Sequence, residues 1–427
     1  MHVAFFTLGC KVNQYDTQLM KDLLENAGHI TVSFQEKADC YIINTCSVTN
    51  MSDRKSRQMI SRCKKLNKDA IIIVCGCFSQ LSSNEVAKIE NVDIVLGTAN
   101  RKEIVKYLNE YLEDKKQIVS PADLKTETML SNEEIHQFDE KTRAILKIED
   151  GCQNYCSYCI IPYARGKIRS KSLSDISKEL TNLKAGGYQE VVLTGIHLAS
   201  YGRDLEGINL CDAIDLACNF GFKRVRLGSL EPNIVTDEFL KCIVIHKNLM
   251  PSFHLSLQSG SDTVLKRMNR HYTCEDYSKA VKLLRHYYPY CAITTDIIVG
   301  FPGESEEEFE ETLSFAQNIS FSKIHIFPYS IRKGTKAALM ENQVSPAIKS
   351  ARSKKLEVIE QKCRLTFMNS LVGQTLPVLF EQKKGNAWEG YTENYLPVLL
   401  ISDNELSGKL IPAHISGTDG HFLFAEV

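Results

Sequence analysis

Between residues 3 and about 112, short apolar runs (VAFFTLG, DCYIINTC, AIIIVCGC, VDIVLG) alternate with helical patterns such as TQLMKDLLENAG. Such alternation calls for a mostly parallel sheet covered by helices, because each parallel crossover needs a helix-length segment to bring the chain back to the same end of the sheet. After a polar, strongly charged stretch at 116–140 the alternation restarts. TRAILKIED, EVVLTG, KRVRLGS, SFHLSLQ, AITTDIIVGF and SKIHIFPYS read as strands with helices between them. Six such repeats suit a partial (β/α)6 barrel, since a closed eightfold barrel needs two more. Residues 345–370 pattern as one long charged helix. From about Leu371 the pattern becomes QTLPVLFEQ, YLPVLLIS, GKLIPAHI and HFLFAEV, parted by Gly, Asn and Asp turns, which predicts a small all-β barrel. The expected class is α/β, with units at 1–115, 141–370 and 371–427 and a linker at 116–140.

A formal net charge of −1 excludes the global basic field of a protein that coats nucleic acid. Basic runs occur at 54–68, 165–171, 332–336 and 349–364, and each taken singly reads as a solvated face. The opening MHVAFFTLGC lacks a basic n-region and a full apolar h-region, so it reads as a first strand. No run approaches the roughly 18 apolar residues of a membrane span. A cytoplasmic setting without membrane contact is expected. Fifteen cysteines in a reducing compartment point to metal binding or catalysis for the clustered ones, and not to disulfides. Cys40, Cys63, Cys211, Cys218, Cys242, Cys274, Cys291 and Cys363 stand isolated and read as packed thiols.

The stretch IEDGCQNYCSYCIIPYARG places Cys152, Cys156 and Cys159 on a loop after the first barrel strand, in the spacing C-x3-C-x2-C. Half of a zinc site is one reading, although zinc modules more often pair two C-x2-C units, and no second unit follows. Three thiolates on such a loop suit an iron–sulfur cluster with one iron left open to bind a ligand directly. C-terminal strand ends are where barrels of this kind carry their chemistry. In the first unit Cys10, Cys46 and Cys77 each follow a strand, in TLGC, INTC and VCGC, so a parallel sheet brings them to one edge. By pattern alone they are a second metal site or simply packed residues, and Cys75 competes with Cys77.

The C-x3-C-x2-C loop, with Tyr158 just before its last cysteine, resembles the radical S-adenosylmethionine superfamily. There the cofactor's methionine group chelates the open iron, and reductive cleavage yields a 5′-deoxyadenosyl radical. The resemblance assigns Thr194 and Gly195 of LTGIH to the methionine amino group, Glu231 and Gln258 to polar cofactor contacts, and Asp296 to Glu304, DIIVGFPGE, with Asp296 and Gly300 as cofactor contacts, to the adenine-contacting strand and glycine turn. TLGCKVNQYDT, INTCSVTN and VCGCFSQ resemble the N-terminal domain of the methylthiotransferases, whose three cysteines hold an auxiliary 4Fe-4S cluster. That likeness favours Cys77 over Cys75. The last unit resembles the RNA-binding TRAM module.

The resemblance implies two 4Fe-4S clusters and two molecules of S-adenosylmethionine, one as methyl donor and one as radical source. It further implies a tRNA anticodon stem-loop as substrate, an external electron donor of the flavodoxin type, and a sulfur source. CKVN, NTCSVTN, KSRQ, TGIHLASYG and QSGSDTVLKRM look most like the branch acting on N6-threonylcarbamoyladenosine at position 37 of tRNA. The alternatives are isopentenyladenosine, an aspartate of a ribosomal protein, and, from another class, a zinc-dependent RNA-binding module without catalysis.

Overall fold

The structure is a computed structural model that describes residues 1–47, 50–127, 130, 135 and 142–426, with the backbone alone for 50–54. In the first unit β1 (His2–Thr7), β2 (Ile30–Val32), β3 (Cys40–Thr45), β4 (Ile71–Gly76), β5 (Ile94–Leu96) and β6 (Ile118–Ser120) form one parallel sheet in the order β2-β1-β3-β4-β5-β6. Its helices are α1 (Lys11–Asn26), α2 (Asn50–Leu66), α3 (Cys77–Leu81), α4 (Ser83–Ala87) and α5 (Ile104–Asp114). The four strands expected from the apolar runs are β1, β3, β4 and β5. Strands β2 and β6 are the two edges of the sheet and partly exposed, so their three residues each do not stand out as apolar runs, whereas the equally short β5 is fully buried. β6 falls in the stretch read as linker, so the sheet continues past residue 115. Much of the rest of that stretch lies outside the described residues.

The central unit begins with β7 (Arg143–Lys147), the short pair β8 (Glu149–Asp150) and β9 (Arg169–Ser170), and α6 (Ile161–Arg165) between them. Then come β10 (Glu190–Thr194), β11 (Arg224–Leu227), β12 (Ser229–Leu230), β13 (Ser252–Leu255), β14 (Ala292–Val299) and β15 (Lys323–Pro328). Since β11 and β12 are parted by Gly228 alone, they occupy one strand position. The parallel order β7-β10-β11/β12-β13-β14-β15 is the expected six-stranded partial barrel, open between β7 and β15. The charged helix Pro346–Asn369, capped by Ser345 with proline at its start, packs on β15.

The last unit is a closed barrel of β16 (Thr375–Lys384), β17 (Ala387–Thr392), β18 (Pro397–Ile401), β19 (Leu410–Thr418) and β20 (Leu423–Glu426). Strand β17, AWEGYT, was not among the expected strands because Glu389 and Gly390 interrupt its apolar run. Trp388 nonetheless fills the barrel core with Val378, Phe380 and Val398.

Helix α1 joins the first two units. Tyr15 and Leu19 pack into the barrel core, while Met20 and Leu24 pack beneath the first sheet. Burial on both sides explains why its polar residues Asn13, Asp16, Thr17 and Gln18 are also buried: Arg165 reaches Asn13 and Asp16 across the domain boundary, while Thr17 pairs with Asn44 and Gln18 with Asp22 inside the first unit.

Candidate active site

In a sheet of order 2-1-3-4-5 the connections leave β1 in opposite directions, and the crevice this creates lies beyond the C-terminal ends of β1 and β3. Cys10 and Cys46 follow those two strands and Cys77 follows β4. Cys10 is the N-cap of α1 and its thiol makes no capping bond. Gly9 (φ +102°) and Gly76 (φ +99°) make the turns possible. A Cβ at Gly9 would stand 2.9 Å from Cys46 Sγ, and one at Gly76 would collide with the Thr45 carbonyl. Cys75 belongs elsewhere: it lies within β4, its side chain in the apolar core with Ile42 and Ile73, and its thiol contacts Met20 Sδ at 3.8 Å. Burial pushes the Cys75 thiol up to about 12. Burial also raises Cys77, but there the Arg165 guanidinium opposes it through charge and a hydrogen bond.

Arg165 comes from α6, directly after the C-x3-C-x2-C loop, and α6 packs on α3. Its Nη1 lies 2.9 Å from Asp150 Oδ2 and 3.2 Å from Asp16 Oδ2, and its Nη2 donates to Asn13 Oδ1 at 2.6 Å. Arg101 and Lys147 each reach Asp16 at 2.5 Å. The network thus holds three cations against two carboxylates, and its surplus positive charge lies beside Cys77, where thiolate ligands would need it. The run 165–171, read from sequence as a solvated face, is the reverse. Arg165, Arg169 and Lys171 are all buried, and Lys171 pairs with Glu179. Arg332 and Arg352 of the later runs are buried too, Arg352 at 2.6 Å from Glu304. Arg57, Arg62 and Lys65 of α2 and Lys68 just beyond it stay exposed as expected.

Removing one member of a buried ion network leaves charges without compensation, at a cost of about 3–5 kcal/mol. We therefore expect Arg165→Ala to lower the unfolding free energy of the apoprotein by about that much. A loss under about 1 kcal/mol in denaturant titration would mean that the network is solvated.

The loop of Cys152, Cys156 and Cys159 is held from three sides. Arg270 Nη1 donates to Cys156 Sγ at 3.2 Å, and Arg270 Nη2 pairs with Glu231 at 2.7 Å. Asn154 Nδ2 donates to Glu231 Oε1 at 3.0 Å, and His197 Nε2 lies 3.1 Å from Glu231 Oε2. Asn269 Nδ2 donates to the Tyr155 carbonyl at 3.1 Å. Tyr155 (φ +47°) and Asn269 (φ +59°) both hold left-handed backbone, strain of the kind that collects at functional sites. Burial alone would raise the Glu231 carboxyl, but the His197 hydrogen bond and the Arg270 guanidinium bring it down to about 2. Arg270, His197 and Asn154 were not singled out from sequence. The available signals were positional: Asn154 lies within the cysteine loop, His197 closes LTGIH, and Arg270 follows the QSGSDTVLKRM motif by two residues.

Beneath this loop Glu149 accepts from the His197 backbone N–H at 2.7 Å, but its Oε1 is buried and has no partner. Burial pushes this carboxyl up to about 8. A raised carboxyl favours the protonated native form. Its stabilising contribution is complete below the unfolded value near 4.3 and is lost as pH rises through about 8. Over that window wild-type stability is expected to fall by about 1.4 kcal/mol per pH unit relative to Glu149→Gln. Melting temperatures of the apoproteins at pH 6 and pH 8 check this, and parallel shifts in the two proteins would contradict it.

A cavity of about 790 Å3 runs through the partial barrel, within the range of ligand sites, which span about 300–1,000 Å3. Cys10 lines it from the first unit and Thr194, Gly195 and Asp296 from the central strands, while Tyr391 and Tyr395 of the last unit close it below. Gln258 (φ +73°) adjoins it, its backbone N–H donating to the Asp296 carbonyl at 2.8 Å. Gly300 and Tyr158 do not line it. The Gly300 N–H donates to Glu304 at 2.6 Å, and Tyr158 packs with Phe301 and Met268 beside the cysteine loop. The lower end is fastened by Glu190, which lies 2.6 Å from Arg143 and 2.9 Å from Arg226. Arg143 also meets Glu381 and the Tyr395 hydroxyl, and Arg226 donates to the carbonyls of Thr392 and Glu393.

Neither cysteine set is drawn together as tightly as a single zinc ion would hold it. Zinc thiolates sit about 4 Å apart, yet among the described residues the one group of three potential ligands all within 4.8 Å is His254, Asp296 and His325. Burial pushes Cys152 up to about 11 and Cys159 up to about 12. Binding a cluster would therefore displace protons from both.

The family model of the radical SAM superfamily matches residues 146–316, the barrel and its cysteine loop, and that of the uncharacterized protein family UPF0004 matches residues 2–97. The threonylcarbamoyladenosine tRNA methylthiotransferase MtaB of Bacillus subtilis (strain 168) is 39% identical over 421 residues, 97% of this chain and 93% of its own. Its namesake from Aquifex aeolicus (strain VF5) is 40% identical over 412 residues, 96% of this chain and 99% of its own. The tRNA-2-methylthio-N(6)-dimethylallyladenosine synthase of Staphylococcus haemolyticus (strain JCSC1435) is 35% identical over 428 residues, 98% of this chain and 83% of its own. The chain belongs to the radical SAM tRNA methylthiotransferases. Among solved structures, the radical SAM methyltransferase TsrM from Kitasatospora setae aligns with a TM-score of 0.58 over 79% of this chain and 77% of its own. At 14% identity this is a likeness of fold. Among the described residues no helix is long and apolar enough to cross a membrane.

Proposed function

We propose that the protein replaces the C2 hydrogen of N6-threonylcarbamoyladenosine, at position 37 of tRNA, with a methylthio group. Cys152, Cys156 and Cys159 would hold one 4Fe-4S cluster, and Cys10, Cys46 and Cys77 the other. Tyr158, Thr194, Gly195, Glu231, Gln258, Asp296 and Gly300 would surround S-adenosylmethionine. When bound, these groups supply sulfur, methyl and the radical that activates C2, chemistry beyond any side-chain base. The carrying observation is the shared cavity, where Cys10 of one set faces Thr194, Gly195 and Asp296, the residues expected at the cofactor.

The chain's own groups have definable tasks in this reading. Arg270 donates to Cys156 and fixes the loop through Glu231. Arg165 offsets thiolate charge at Cys77. The loop around Tyr391 to Leu396 closes the cavity against water from below. The C-terminal barrel would read a single-stranded anticodon loop whose target base is unstacked. An external one-electron donor of the flavodoxin type and a sulfur source complete the cytoplasmic setting. Identities of 39 and 40% to the MtaB proteins, against 35% to the dimethylallyladenosine enzyme, support the threonylcarbamoyl substrate. Nucleoside mass spectrometry of tRNA from cells with and without the gene tests it. Loss of the methylthio form of threonylcarbamoyladenosine alone is expected, and loss of the isopentenyl form instead would reassign the substrate.

A further inference from the structure

The cavity wall carries Lys11, Arg143, Arg226, Lys323 and Arg364 against a single carboxylate, Asp296, in a chain whose net charge is −1. Arg143 and Arg226 are committed to Glu190, and Arg364 lies 3.5 Å from Glu360. Lys323 is exposed to water. Lys11 differs from all of these. It is half-buried, and among the described residues its ammonium has neither a hydrogen-bond acceptor nor an ion-pair partner, only the Tyr395 ring with its centroid at 5.9 Å. Its three strong donors thus face the cavity beside two guanidiniums, with no acceptor among the described residues committed to them, and an acceptor carried by the ligand can take them up.

An anion suits this wall better than a metal ion does. His254, Asp296 and His325 are close enough to share a cation, but one carboxylate among five cationic side chains makes a poor cation site. The threonylcarbamoyl group carries one carboxylate, whereas an isopentenyl group carries no charge. We propose that Lys11 Nζ binds the substrate's threonyl carboxylate, with Arg143 and Arg226 as fixed positive surroundings and Tyr395 as the adjoining wall. This rests on the threonylcarbamoyl reading above and adds the residue that reads the charge. In that reading the cofactor's own carboxylate is taken up at the open iron of the Cys152 set and does not compete for Lys11.

The test uses reconstituted holoenzyme and two anticodon stem-loop RNAs, one with threonylcarbamoyladenosine and one with its neutral threoninamide analogue. Wild type is expected to prefer the carboxylate RNA in kcat/KM and in binding affinity by about 10- to 100-fold, the range of a charge-assisted hydrogen bond. Lys11→Gln should bring the two RNAs within about threefold by losing affinity for the carboxylate RNA alone, and Lys11→Arg should keep part of the preference. Iron content is measured in parallel because Cys10 is adjacent. A wild type indifferent to the amide overturns the inference without any variant. So does Lys11→Gln with full iron and an unchanged preference, or with equal losses on both RNAs, which would assign Lys11 to phosphate or cofactor. A wild type that makes product from neither RNA, yet does so from isopentenyl RNA, overturns the functional reading itself and this inference with it.

Discussion

Alanine at Cys152, Cys156 or Cys159 is expected to bring 5′-deoxyadenosine release to background after anaerobic reconstitution. Two ligands cannot keep a cluster with one open iron, and the loop has no replacement thiol nearby. The surrounding scaffold should survive, because Glu231 still holds Asn154, His197 and Arg270. Alanine at Cys291, a buried thiol of the barrel core, should leave cofactor cleavage intact and cost only about 1 kcal/mol of stability. Normal 5′-deoxyadenosine from any of the three loop variants would remove the cluster assignment.

The second expectation separates a methylthiotransferase from a plain radical enzyme. Alanine at Cys10, Cys46 or Cys77 should remove about one cluster's iron, leave 5′-deoxyadenosine release in place and abolish methylthio product. Release persists because the Cys152 loop is anchored within the barrel and keeps its own ligands. Packed thiols would behave otherwise: full iron, retained product, and a stability loss of roughly 1–3 kcal/mol. Cys75→Ala supplies the internal comparison. Its thiol faces Met20 in the apolar core, so it should show the packing behaviour while Cys77→Ala loses iron. Iron analysis with product mass spectrometry reads both, and a triple variant that still makes methylthiolated RNA would end the sulfur-carrier role.

Much of this arrangement was legible from short-range pattern. Apolar runs located four of the six strands of the first sheet, whose central strands are buried on both faces, and all six positions of the partial barrel, where strands such as β13 and β15 instead alternate apolar with polar residues. Parallel-sheet geometry alone also predicts that Cys10, Cys46 and Cys77 meet at one edge. What escaped depends on partners far away in sequence. Arg165 to Lys171 looks like a solvated run until Asp16, 149 residues from Arg165, and Tyr15, 156 residues from Lys171, are placed against it. Arg143, Glu190 and Arg226 become one cluster only when their strands are paired. Lys11 stands out only through its lack of an acceptor among the described residues, in a cavity lined by all three units.

The most direct measurement of the central claim incubates the reconstituted protein with S-adenosylmethionine, a one-electron reductant and anticodon stem-loop RNA carrying either threonylcarbamoyladenosine or isopentenyladenosine. Products are then digested to nucleosides for mass spectrometry. The account predicts the 2-methylthio form of threonylcarbamoyladenosine and little or none from the isopentenyl RNA. Methylthio product from the isopentenyl RNA alone, or from neither RNA while 5′-deoxyadenosine accumulates, would contradict it.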